Sequence, residues 1–265
     1  MKPIVADAWS ALRRFTPARI ALGRSGASVP TAEVLRFGVA HALARDAVHL
    51  AFDAAAVRDE LAALGFETIE VESAAGDRAT YLRRPDLGRR LSERSRGLLD
   101  ALPRCVEALV CVVGDGLSAK AVHRHAVPLL REVRPLLEAE AVAIGPIVLA
   151  HQARVALGDE VGARLHAQAV AVLIGERPGL SSPDSLGVYL TWQPRAGRSD
   201  AERNCISNIR PEGLPYAAAA RKLAWLLGAA RRLGTTGVRL KDESEATPAL
   251  APAPALLPGE RGSEE

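Results

Sequence analysis

ALVCVVGDGLSAKAVHRH, residues 108–125, decides the fold. Its first half is a short apolar run rich in Val, the composition of a strand buried on both faces. The run stops at Gly114-Asp115-Gly116, and a helix with Ser118 as its N-cap follows at once. Pro128 then opens a new helix or kinks this one. The same theme returns downstream. AVAIGPIVLA (141–150), AVAVLIG (169–175) and LGVYLTW (186–192) read as further buried strands, and DEVGARLHA and YAAAARKLAWLLGAARRL as helices. Gly234 is placed to close the last helix, with Arg231 and Arg232 in its final turn, where the helix dipole favours cations. Strands alternating with helices imply an α/β fold, a Rossmann-like and mostly parallel sheet with helices on both faces.

Upstream, residues 1–100 read as a mainly helical N-terminal region. Pro30 and Thr31 open a helix with Leu35, Val39 and Ala42 at helical spacing, and GRRLSERSRGLLDAL supplies another. Only a short β-like TYL (80–82) interrupts it, and no strand is long enough for a sheet of its own. Residues 101–241 form the Rossmann-like domain. From Asp242 the chain turns to DESEATPALAPAPALLPGERGSEE, an acidic Pro/Ala tail without periodicity, expected to be disordered over 242–265.

The 265 residues carry 48% hydrophobic and 25% charged side chains, ordinary values for a globule of one or two domains. Net charge is +3, and the acidic tail leaves the rest of the chain more basic than that. Such a surface suits phosphate-bearing ligands or an acidic partner, or reflects an Arg-rich composition with no functional meaning. Aromatics at 4% argue against a base-stacking RNA surface. Three cysteines without C-x-x-C spacing imply neither a disulfide framework nor a zinc site. No apolar run nears the ~20 residues of a membrane span, and the first residues lack a signal-peptide pattern. A cytoplasmic protein is expected.

In an open parallel sheet, ligands bind beyond the carboxyl ends of the strands. That picks out Gly114–Gly116, Gly175-Glu176-Arg177-Pro178-Gly179 and the loop 193–215. GDGLSA formally matches a dinucleotide-binding turn, but the following strand ends in Ala150 and His151 rather than the acid that would hold a ribose. The plainer reading is a tight turn in which Asp115 satisfies backbone donors. Glu176 either accepts from a ligand or pairs with Arg177 or a core arginine. Cys205 lies in a polar loop with Arg203 and Arg210 near in sequence, where nearby cations would lower its pKa. Cys105 and Cys111 read as small core residues. His123 and His125 face different directions and read as solvent-facing. No catalytic constellation and no metal site are visible.

FTPARIALGRSG (15–26), RRPDLGRRL (83–91), GDGLSA (114–119), RVALGDEVG (154–162), LIGERPGLSSPDSLGVYLTW (173–192) and DAERNCISNIRPEG (200–213) together resemble the small (light) subunit of ethanolamine ammonia-lyase. The likeness covers about residues 7–241. It implies an adenosylcobalamin-dependent lyase that turns ethanolamine into acetaldehyde and ammonia by a radical mechanism. It also implies a large TIM-barrel partner subunit that binds the substrate, in a hexamer of pairs, with no nucleic acid and no membrane involved. The cofactor carries the hard chemistry, which suits a chain with no acid–base pair of its own. By the family's motifs the cobalamin contacts fall on Val155, Glu176 and Cys205. Val155 would pack at the corrin periphery, Glu176 would accept from its amides, and Cys205 would lie nearby in the loop between strands. Asp115, Ser118 and Ser207 are weaker candidates at the same sheet edge. No His has an Asp two residues before it, as cobalamin enzymes that exchange the lower base carry, so base-on binding is expected. Few residues precede FTPARI, which favours plain cytoplasm over an ethanolamine-utilisation microcompartment. The alternatives are a nicotinamide oxidoreductase built on GDGLSA and a non-enzymatic basic adaptor.

Overall fold

In the computed structural model, which describes residues 4–245, all seven residues of the strand Ala108–Gly114 are buried. Leu109, Cys111 and Val113 enter one hydrophobic cluster, while Val110 and Val112 enter the other. The strand therefore divides two cores, as its unbroken apolar composition requires. Six strands make the sheet: β1 (Thr68–Glu72), β2 (Ala108–Gly114), β3 (Ala143–His151), β4 (Ala169–Gly175), β5 (Leu186–Trp192) and β6 (Asn204–Ile209). Their order is β1-β3-β2-β4-β5-β6. β1, β3, β2 and β4 are mutually parallel, β5 runs antiparallel to β4, and β6 runs antiparallel to β5.

The helices are α1 (Thr31–His49), α2 (Ala54–Ala63), α3 (Arg78–Arg83), α4 (Glu93–Asp100), α5 (Ala119–Ala139), α6 (Leu157–Arg164) and α7 (Tyr216–Leu233). α2, α5 and α7 bury their apolar faces in one cluster, and α4 and α6 in the other. Helices thus cover both faces of the mixed sheet. α7 ends where its sequence says it must, with Gly234 at φ 67° and its N–H on Ala230 O.

Several expectations are corrected. α5 runs as one helix through Pro128 and Pro135, so Pro128 does not open a new helix. The carbonyls those prolines free belong to Arg124 and Arg131, both exposed, so water can satisfy them. TYL is helical, lying in α3, because the Asp77 carboxylate caps it by accepting from Thr80 N at 2.8 Å. β1 was not anticipated; it joins β3 as an edge strand. The segment NCISNI is strand β6 rather than loop. β5 is antiparallel because the ten residues joining it to β4 hold no helix to carry a parallel crossover. His125 is buried, with Nδ1 2.8 Å from the Tyr216 hydroxyl, and His123 is half-buried, accepting from Asp53 N at 2.9 Å. Burial pushes the pKa of both imidazoles down.

The first fifty residues behave differently. Trp9, Phe15, Leu35, Phe37 and Val39 all remain exposed, and α1 buries only Ala47. At the other end, Asp242 and Glu245 hold Lys222 of α7 at 3.0 and 2.8 Å, so the acidic segment begins as an ordered clasp. The expectation of disorder for the rest of it, from residue 246, lies outside the described residues.

Candidate functional site

The strand order reverses at β2, with β3 on one side and β4 on the other, and α5 and α6 leave toward opposite faces. Such a switch point opens a crevice beyond the carboxyl ends. A cavity of about 400 Å³ lies there. Gly116 and Leu117 come to it from the turn after β2, Val155 and Arg154 from the approach to α6, and Ile174 to Arg177 from the end of β4. Tyr189, Ser207 and Tyr81 complete it.

Its floor is a backbone lock. A Cβ on Gly116, whose φ is +55°, would collide with the carbonyl of Gly175, and a Cβ on Gly175 would collide with that of Ser118. Leu117 N donates to Gly175 O at 2.9 Å across the same contact. The glycines of GDG and GERPG therefore serve each other, which removes the reason to read GDGLSA as a pyrophosphate cradle. Asp115 is 2% exposed and does what the plainer reading expected. Its carboxylate accepts from Gln152 N at 3.1 Å, Ala153 N at 2.9 Å and Arg78 Nη1 at 3.3 Å. Burial raises its pKa, against the lowering effect of those partners. Ser118 is fully buried, capping α5 through Ala121 N and donating to Pro183 O at 3.0 Å. Asp115 and Ser118 thus support the floor from below.

Glu176 projects from the end of β4 over β5 and β6, in space that Gly187 leaves open. Ser207 Oγ donates to its Oε1 at 2.6 Å and Asn208 N to its Oε2 at 3.2 Å. Among the described residues it makes no ion pair, so the expected alternative of a partner in Arg177 or a core arginine is not realised. Each oxygen accepts one of the two bonds it can take, which leaves capacity toward the cavity. Val155, Glu176 and Ser207 thus meet in one cavity. Cys205 is exposed on β6 beside Tyr189, its partner in register on β5 and a lining residue of the cavity. Its thiol pKa is raised, by desolvation first and then by the Glu176 charge, against a lowering bond with Tyr189. Arg203 is occupied elsewhere, on Asp159, and does not activate it.

Tyr81 and Arg154 of this cavity, and Arg78 beside them, were not anticipated. Tyr81 lies under two guanidiniums, Arg154 at 4.3 Å and Arg78 at 4.7 Å from the ring centre, and its hydroxyl donates to Ala153 O. The spacing Asp77-x-x-Thr80, a helix start signal, was the one clue to α3 and hence to Tyr81.

Fold and cavity together define a Rossmann-like α/β protein with an open cavity at the switch point of its sheet. A model of the ethanolamine ammonia-lyase light chain matches residues 6–241. The chain is 57% identical over 242 residues to the ethanolamine ammonia-lyase small subunit of Xanthomonas campestris pv. campestris (strain B100), covering 90% of this chain and 89% of that one. It is 56% identical over 246 residues to the small subunit of Ralstonia nicotianae, covering 91% of each. The chain belongs to the ethanolamine ammonia-lyase small-subunit family.

Proposed function

We propose that this chain is the small subunit of an adenosylcobalamin-dependent ethanolamine ammonia-lyase and forms one wall of a cobalamin site completed by the large subunit. The observation that carries this reading is the switch-point cavity with a half-saturated Glu176 carboxylate at its rim. A corrin is edged with amides, which ask for fixed acceptors and donors. Glu176 is such an acceptor, with one bond free on each carboxylate oxygen. At about 400 Å³ the cavity has the size of a drug-sized site and is too small for a corrin with its nucleotide, so this chain alone would grip an edge. The exposed apolar side chains of the first fifty residues support a large partner, since such surface is rarely left bare.

The cofactor, when bound, supplies the radical chemistry that converts ethanolamine to acetaldehyde and ammonia. The chain's own residues position it. Glu176 accepts from corrin amide N–H groups, and Ser207 and Asn208 keep its carboxylate turned to the rim. Val155 packs against the corrin periphery from the start of α6, and Cys205 with Tyr189 forms the flank. This chain would offer no imidazole in exchange for the cofactor's lower base, since none of its six His follows an Asp at the spacing that such exchange uses, and base-on binding would be expected. The large TIM-barrel subunit holds ethanolamine. Among the described residues no helix is long and apolar enough to cross a membrane, and the proposed setting is the cytoplasm, with a microcompartment as the alternative.

Mixing the chain with a large subunit, adenosylcobalamin and ethanolamine should yield acetaldehyde, and neither subunit alone should. Activity of this chain by itself, or none from the pair, would sink the reading. Glu176→Ala should weaken cofactor affinity roughly ten- to a hundredfold, the value of one or two hydrogen bonds to a charge, while leaving subunit assembly intact. Loss of assembly first would make Glu176 a structural residue.

A further inference from the structure

Arg154 is held in place at the cavity without an ion pair among the described residues. It lines the cavity, stacks on Tyr81 at 4.3 Å, and its Nε is buried without a hydrogen-bond partner. Its backbone is pinned by a bond to Gly88 O at 2.8 Å. Among the described residues no carboxylate answers it. Asp115 is taken by Arg78 and two backbone amides, Asp159 by Arg203, and Glu160 by Arg96 and Arg164. Arg78, on the same ring, adds a second buried orphan in Nη2. Two guanidiniums stack on the Tyr81 ring, and only Arg78 meets the buried Asp115 carboxylate, so the charge of Arg154 at the cavity stays uncancelled.

Amides carry no net charge, so a corrin edge alone does not explain a cation held ready in this way. A planar guanidinium presented on an aromatic face is suited to bidentate recognition of a phosphate. Adenosylcobalamin contains one such group, the phosphodiester that links the corrin side chain to its nucleotide. We infer, resting on the cobalamin reading above, that Arg154 on its Tyr81 platform is the subsite for the cofactor's phosphodiester. The cavity then has two poles. Glu176 takes neutral N–H donors, and Arg154 takes the anion.

The test compares adenosylcobalamin with adenosylcobinamide, which lacks the phosphodiester and nucleotide, by spectroscopic titration of the assembled two-subunit complex. Arg154→Gln should lower affinity for adenosylcobalamin roughly ten- to a hundredfold and leave adenosylcobinamide within about twofold. Arg154→Lys, which keeps the charge but not the fork, should recover part of the loss. Equal losses for both ligands would place Arg154 on a corrin amide and overturn the inference. So would unaltered cobalamin affinity, or subunits that no longer associate, because the arginine would then answer an acid of the partner. Failure of the unmutated complex to bind adenosylcobalamin would instead remove the cobalamin reading itself.

Discussion

Two buried aspartate–arginine pairs stand on this sheet, and they differ in how completely they are closed. Asp159 of α6 meets Arg203, just before β6, at 2.6 Å, and both side chains are 2% exposed. Every nitrogen of that guanidinium is used. Nη1 also donates to Thr191 Oγ1, Nη2 to Arg198 O at 2.9 Å, and Nε to Asp200 Oδ1 at 3.4 Å. Asp115 meets Arg78 at 3.3 Å with the arginine 17% exposed, its Nη2 unpartnered and the orphaned Nε of Arg154 nearby on the same ring. The Arg203 guanidinium is fully satisfied, although Nε of the neighbouring Arg198 is itself buried without a partner, and a pair closed in this way ties the fold together. One left open beside a cavity keeps capacity for something that is not in the chain. The first pair fastens α6 to the antiparallel edge of the sheet, and the second holds residues 152–153 on the approach to Val155.

The comparison breaks if the closed pair proves dispensable. Arg203→Met should destabilise the protein by about 3–5 kcal/mol, because it strands Asp159 in the core. Adding Asp159→Leu should recover most of that loss. Denaturant unfolding of both variants checks it, and an Arg203→Met protein as stable as the parent would show that the network carries nothing. A smaller effect is expected at the open pair. Asp115→Asn leaves one carbonyl oxygen where two oxygens accepted from Gln152 N and Ala153 N, a cost of about 1–3 kcal/mol. Its second consequence sharpens the contrast. On the proposed cobalamin reading, cofactor affinity should fall with Asp115→Asn, since residues 152–155 loosen, whereas a destabilised but folded Arg203→Met protein should bind as before.

The same contrast governs what could be read from the residues. β2 and β4 were plain because they are buried on both faces, so each residue had to be apolar. The edge strands were not. β1 buries only Val71 among its five residues, and β6 only Ile206 and Ile209 among six. Such strands carry charged and polar side chains on their free edges, and no apolar run marks them. His123 and His125 were misplaced for a related reason. Their burial depends on Phe52 and Tyr216, which lie 71 and 91 residues away. At the site, Glu176 stood out because two glycines flank the turn that it begins. Arg154 and Tyr81 did not, because a stack between residues 73 apart has no local pattern.

The smallest effect concerns pH and the belt around the closed pair. Glu202 closes a capping box, its carboxylate accepting from Ser199 N at 2.7 Å and Ser199 Oγ at 3.1 Å, and it pairs with Arg198 at 2.5 Å. Its backbone oxygen accepts from Thr236 Oγ1 at 2.6 Å, and that hydroxyl oxygen accepts from Trp192 N, so the belt joins the end of β5 to the segment after α7. The Ser199 backbone bond and then Arg198 hold the Glu202 carboxyl at about 2, below its ordinary 4.5. A depressed carboxyl binds fewer protons folded than unfolded, so its contribution is full above pH 4.5 and is lost as pH falls toward 2. Thermal unfolding followed from pH 6 downward should therefore show Glu202→Gln starting slightly below the parent and converging with it across that window. Parallel curves would mean that Glu202 is unpaired in solution, and that the closed network ends at Arg203 rather than reaching the segment after α7.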